Sequence, residues 1–70
     1  MDLTKTERVE LYNARLLTRL TQRILNEVLV DIPETRDHEY NMIYTIFLTF
    51  KGLDVKLTEL LKVSRDGLHE

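Results

Sequence analysis

The 70-residue sequence contains no cysteine and no tryptophan, only one proline and only two glycines. Without cysteine, no disulfide can staple the chain, and that is the device small folds with thin cores most often use. The same absence suits a cytoplasmic setting, which is the localisation expected here. Two histidines, His38 and His69, are too few to build a structural metal site, so neither a metal nor a cofactor is expected. No apolar run approaches the roughly 18 residues of a membrane span, and "MDLTKTERVE" lacks the apolar stretch of a secretory leader. A net charge of −2 gives no overall pull toward nucleic acid. Few glycines and prolines also mean long stretches in which nothing interrupts a helix.

What is present is 43% hydrophobic and 31% charged residues, a globular profile. The length allows a single domain, 1–70. A chain this short buries only about 60% of the surface its unfolded form exposes, so a monomer is marginal. With disulfides and metals set aside, a second chain is the remaining source of stability. Charge is uneven: residues 1–30 carry five basic and four acidic groups, and residues 31–70 carry five and eight.

The first element starts at "TKTE", where Thr4 as N-cap and Glu7 at N3 form a capping box and Leu3 supplies a staple. Val9, Leu16, Leu20, Ile24 and Val28, with Leu17 beside them, recur at helical spacing in a stripe about 120° wide. The pattern predicts a helix from about Lys5 to Leu29. The chain then breaks at "VDIPETRDHEYN", because proline in a helix interior loses a hydrogen bond and clashes with the preceding turn. Asp31, Thr35 or Asp37 can cap a second helix, and the acidic elbow of Asp31, Glu34, Asp37 and Glu39 suits the positive end of that helix.

The second element holds most of the apolar sequence. In "IYTIFLTFKGLDVKLTELL", Ile43, Ile46, Phe50, Leu53, Leu57 and Leu60 are spaced 3, 4, 3, 4, 3, a heptad over more than two repeats. A strand would require a spacing of two. Ile43 to Phe47 do favour strands and Gly52 suggests a turn, but six positions in phase outweigh them, and a helix is expected from about Asp37 to Val63. The expected fold is therefore all-α: two long antiparallel helices with residues 30–37 as elbow and a frayed tail, 64–70, with Gly67 as the stop. Val9, Leu16, Leu20, Ile24 and Val28 should pack against the heptad of the second helix.

That leaves Tyr40, Tyr44, Phe47, Leu48 and Val55 on a further face of the second helix, the expected protein interface. A homodimer forming a four-helix bundle would cover it. Arg8, Arg15, Arg19 and Arg23 form a row on the first helix, with Lys5 and Tyr12 nearby, and are candidates for an anionic partner or nucleic acid. A solvated, salt-bridged face is the favoured reading of that row. Catalytic signals are poor: Ser64 is the only serine, Glu34 and His38 stand four apart without a third ligand, and no glycine-rich phosphate loop exists.

Two stretches of the chain also resemble known families. "LTELLKVSRDGL" (57–68) resembles a helix-turn-helix of the excisionase type, in which a helix leads through a tight turn into a recognition helix. Almost no recognition helix remains beyond it, and a helix fraying after Val63 is favoured. "LTKTERVELYNARLL" resembles the opening of the YfbU family of bacterial and phage helical proteins, with Arg8, Leu11 and Asn13 on its pattern and Ala14 in place of glutamine. Glu39 to Leu68 resembles that family's central helix through Ile43, Ile46, Phe50, Lys51, Gly52 and Leu53. The resemblance implies an all-helical protein of bacterial or phage setting and carries over no catalytic residue. The expected function is a non-enzymatic protein–protein interaction module: an adaptor, inhibitor or assembly factor, working as a homodimer with another protein as partner and no membrane. The alternative is a small DNA-associated transcriptional regulator.

Overall fold

A computed structural model describes residues 3–33 and 35–68, with side chains described to Val63. The chain forms a helical hairpin of two elements, α1 (Lys5–Asp31, 27 residues) and α2 (Asp37–Leu68, 32 residues), laid antiparallel in a rod of 55 × 14 × 12 Å between Cα extremes. No strand occurs among the described residues.

The start of α1 is the expected capping box. The Glu7 amide donates to the Thr4 hydroxyl at 3.1 Å, and the Thr4 amide donates to the Glu7 carboxylate at 2.9 Å. Two of the donors that every helix start leaves unpaired are thereby satisfied. At the other end the Ile32 amide closes on the Val28 carbonyl at 3.1 Å, and Pro33 then ends the helix. The elbow tightens through the Arg36 amide on the Pro33 carbonyl, and α2 begins with the Tyr40 amide on the Arg36 carbonyl, both 3.0 Å. The backbone of Arg36 therefore opens α2, while Asp37 and Glu39 lie in its first turn. Glu34 lies outside the described residues. α2 runs on past Val63 and through Gly67 to Leu68. It is unbroken across 57–68, where the excisionase-type likeness implies a tight turn.

The seam between the helices differs from the expected one. Val9, Leu16, Leu20, Ile24 and Val28 are not the covered row of α1; they are between 39% and 60% exposed. The residues turned inward on α1 are Leu11, Arg15, Thr18, Gln22, Leu25 and Leu29, all buried or half-buried. Their spacing explains the choice. They step by 4, 3, 4, 3, 4, the alternation of fours and threes of a heptad repeat that keeps a seam facing its partner. From Leu16 to Val28 the apolar stripe steps only by fours, and each such step turns about 40° further round the helix. A stripe that spirals in this way cannot follow one neighbour for three turns.

α2 shows a milder version of the same correction. Ile43, Phe50 and Leu57 face α1 as expected, but Phe47, Asp54 and Leu61 complete the seam. Ile46 and Leu53 stay exposed at 45% and 44%, and Leu60 is half-buried. The heptad is real and its axis is rotated by one residue. Burial along the seam is thin: among the described residues only Leu61 (2% exposed) and Thr18 (5%) are fully covered. The Thr18 hydroxyl is satisfied locally by donating to the Arg15 carbonyl at 2.7 Å.

Gly52 lies mid-helix on the outer side of α2, and a Cβ added there would meet nothing within 4 Å. Gly52→Ala is accordingly expected to stabilise the fold by about 0.5–1 kcal/mol, through the lower entropy of the unfolded chain. Urea unfolding followed by circular dichroism measures it. A loss of stability would mean that some close approach to position 52 forms in solution.

Candidate interaction surfaces

Two antiparallel helices joined by a short elbow have two broad sides, and the seam positions assign each residue to one of them. On the first side, α1 presents Tyr12, Arg15, Arg19 and Arg23, and α2 presents Tyr44, Leu48, Lys51, Val55, Thr58 and Lys62. Contacts across the seam agree with this grouping. Arg19 Nε lies 3.2 Å from both carboxylate oxygens of Asp54, and Gln22 Nε2 donates to Asp54 at 3.4 Å. Tyr12 and Arg15 of α1 line one open cleft of about 270 Å³ with Thr58, Leu61 and Lys62 of α2.

The arginine row does not act as one free strip of charge. Arg8 is half-buried, Arg15 lies over the Tyr12 ring at 5.1 Å, Arg19 is held by Asp54, and Arg23 is exposed. Asp54 is the group that sequence reasoning missed. Its side chain is only 19% exposed, against 53% for Arg19. Burial pushes its carboxyl pKa up, but hydrogen bonds from Arg19 and Gln22, the Arg19 charge and the Thr58 hydroxyl together hold it below the ordinary aspartate value. Glu7 is likewise held low, by the Thr4 backbone bond first and the Thr4 side chain second, against a small effect of burial. A carboxyl lowered on folding stabilises the fold above its unfolded value, near ~4, and that contribution is lost as pH falls through the folded value. Both groups therefore place the acid-sensitive window below about pH 4. An aspartate alone within "FKGLDVKL" gives no sign of facing a helix 35 residues away.

The expected interface residues Tyr40, Tyr44, Leu48 and Val55 are exposed, and Phe47 is half-buried because it belongs to the seam. Three rings form a ladder one turn apart: Tyr40 to Tyr44 at 6.2 Å between centroids, and Tyr44 to Phe47 at 6.4 Å. Val55 lines a second open cleft with Arg19, Asp54, Thr58 and Glu59.

The opposite side has a different character. α1 contributes Leu17, Thr21, Ile24 and Val28, and α2 contributes Met42, Ile46, Thr49, Leu53 and Leu60, with Leu20 at the outer edge. No charged residue falls between Leu17 and Val28 on this side of α1; Glu10 and Glu39 stand at its ends, and Lys56 at its margin. Thr49 keeps even its hydroxyl occupied, donating it to the Thr45 carbonyl at 3.0 Å.

Among the described residues no group of three potential metal ligands occurs; the Glu34–His38 pair involves a residue outside them. No described helix is long and apolar enough to cross a membrane. No family model matches the chain, and no curated protein or solved structure matches it either.

Proposed function

We propose that the chain is a non-enzymatic protein–protein interaction module, an adaptor, inhibitor or assembly factor that self-associates and holds a further protein on the Tyr44 side of α2. The observation that carries this reading is the amount of apolar surface left outside the hairpin. Sixteen large hydrophobic side chains are exposed among the described residues and one is fully buried, so much of the apolar side-chain surface lies outside the seam. Apolar patches of this extent mark interaction sites in soluble proteins.

The Tyr44 side has the composition of a binding hot spot. Aromatic rings and arginines carry a disproportionate share of interface energy. Here Tyr40, tilted against Tyr44, and Tyr44, stacked on Phe47, lie beside Leu48 and Val55, with Arg19 and Arg23 on the neighbouring helix. A partner of matching chemistry would present an apolar ridge flanked by carboxylates. The nucleic-acid reading is weaker, since Asp54 and Tyr12 engage two of the four arginines of the row.

The test is capture of the partner on the immobilised chain and its identification by mass spectrometry. Tyr44→Glu is expected to reduce capture by tenfold or more while leaving helicity intact, because the side chain is 42% exposed. Equal capture by the wild type and Tyr44→Glu would refute the assigned face. Retention on DNA that collapses with rising salt would favour the regulator instead.

A further inference from the structure

The side of the hairpin opposite Tyr44, charged only at its ends and margin, has no occupant within the chain. We propose that a second copy of the chain sits on it: two hairpins stack through Leu17, Ile24 and Val28 of α1 and Met42, Ile46 and Leu53 of α2, closing a four-helix bundle. This deepens the reading of the chain as a self-associating module and assigns self-association to a face distinct from the one that holds the partner.

Three observations select this occupant. The first is area. The hairpin exposes 5626 Å², whereas a compact monomer of its 8.3 kDa would expose about 4,600 Å². The excess of roughly 1,000 Å² is comparable to the ~800 Å² that each partner loses in a standard stable interface. The second is charge. In a twofold dimer each residue meets the same patch on its mate. The Tyr44 side would then bring a net-basic patch, Arg15, Arg19, Arg23, Lys51 and Lys62 against Glu59 and an Asp54 already engaged by Arg19, onto the same patch of its mate. The opposite side, with Glu10 and Glu39 at its ends and Lys56 at its margin, has no central cluster of like charge to repel its copy.

The third is periodicity. Leu17 and Ile24 are seven apart, as are Ile46, Leu53 and Leu60, so these rows run straight along the rod as bundle packing requires. The small residues Ala14, Thr18 and Thr21 lie in and beside the seam of α1, while Leu17, Ile24 and Val28 stand outside it. That is an unusual division for a lone hairpin. It is the ordinary one for half of a bundle, whose larger core lies between the two halves.

Sedimentation equilibrium of the full chain over a wide concentration range tests the proposal. The wild type is expected to behave as a dimer whose helicity falls on dilution, as coupled folding and association require. Ile24→Glu and Leu53→Glu should each weaken association at least a hundredfold, and Tyr44→Glu should leave it within a few-fold of wild type. Should the glutamate variants fail to fold, isotope-filtered nuclear Overhauser spectra on a mixed labelled and unlabelled wild-type sample decide the matter. Contacts between chains are expected from Leu17, Ile24 and Ile46 methyls. A strict monomer at high concentration overturns the proposal, as do contacts between chains confined to Tyr44 and Leu48. So does a monomer that binds anionic vesicles and loses that binding in Ile24→Glu, which would make the face a membrane contact. Partner capture that depends on Tyr44 in a monomeric chain would sink the dimer and leave the interaction module standing. A dimer that captures nothing would do the reverse.

Discussion

Leu61→Ala is expected to remove about half of the stability of the hairpin. Leu61 is the one large apolar side chain that the described fold covers almost completely, at 2% exposure. It sits at the floor of the cleft formed by Tyr12 and Arg15 from α1 with Thr58 and Lys62 from its own helix. Truncating a buried leucine costs about 2–5 kcal/mol, depending on how far the site collapses onto the space left. A chain of this length has a total stability on the order of 4–10 kcal/mol. The thermal midpoint should therefore fall by about 10 °C or more, as circular dichroism would show. Val55→Ala provides the comparison. That side chain is 53% exposed, and its loss should cost under about 1 kcal/mol in the unliganded protein. Equal effects at the two positions would mean that α2 is rotated from the seam described above.

The second large effect runs the other way. Replacing the polar layer by Gln22→Leu with Asp54→Leu is expected to raise the thermal midpoint by about 5 °C or more. Seam positions of paired helices favour apolar side chains, and polar groups placed there set alignment at the expense of stability. Gln22 and Asp54 are removed together, so no buried carboxylate or amide is left unmatched, and the Thr58 hydroxyl loses only a long bond of 3.5 Å. Arg19 is already 53% exposed and turns to water. The variant should also lose the Asp54 share of acid sensitivity below about pH 4, while the Glu7 share at the capping box persists. Midpoints compared at about pH 3 and about pH 7 for the wild type and the variant measure both effects. A fall in the midpoint at neutral pH would show that the Arg19–Asp54–Gln22 contacts hold the helices together more strongly than leucines in the same places.

How much of this was legible depends on whether a feature is local. The capping box at Thr4 and Glu7 and the break at Pro33 are each written within a few residues, the heptad of α2 within one helix, and all three have structural counterparts, the last with its inward row shifted by one residue. The candidate interface was legible as a surplus, because α2 carries more apolar positions than one neighbour can cover. The packing face of α1 was not. Ranking α1 by hydrophobicity selects Val9, Leu16, Leu20, Ile24 and Val28, and that ranking points away from α2.

The sequence by itself determined two long helices, the hinge between them and an excess of apolar side chains for so short a chain. Tertiary structure alone decided which strip of each helix turns inward. A seam is a property of a pair: a row winding at four residues per step loses its neighbour within three turns, whereas Leu11, Thr18, Leu25 and their mates keep alignment with Ile43, Phe50 and Leu57. Geometric phase between the helices outweighed the greasiness of either one, and so Leu16, Leu17 and Leu20 of α1 were left facing out.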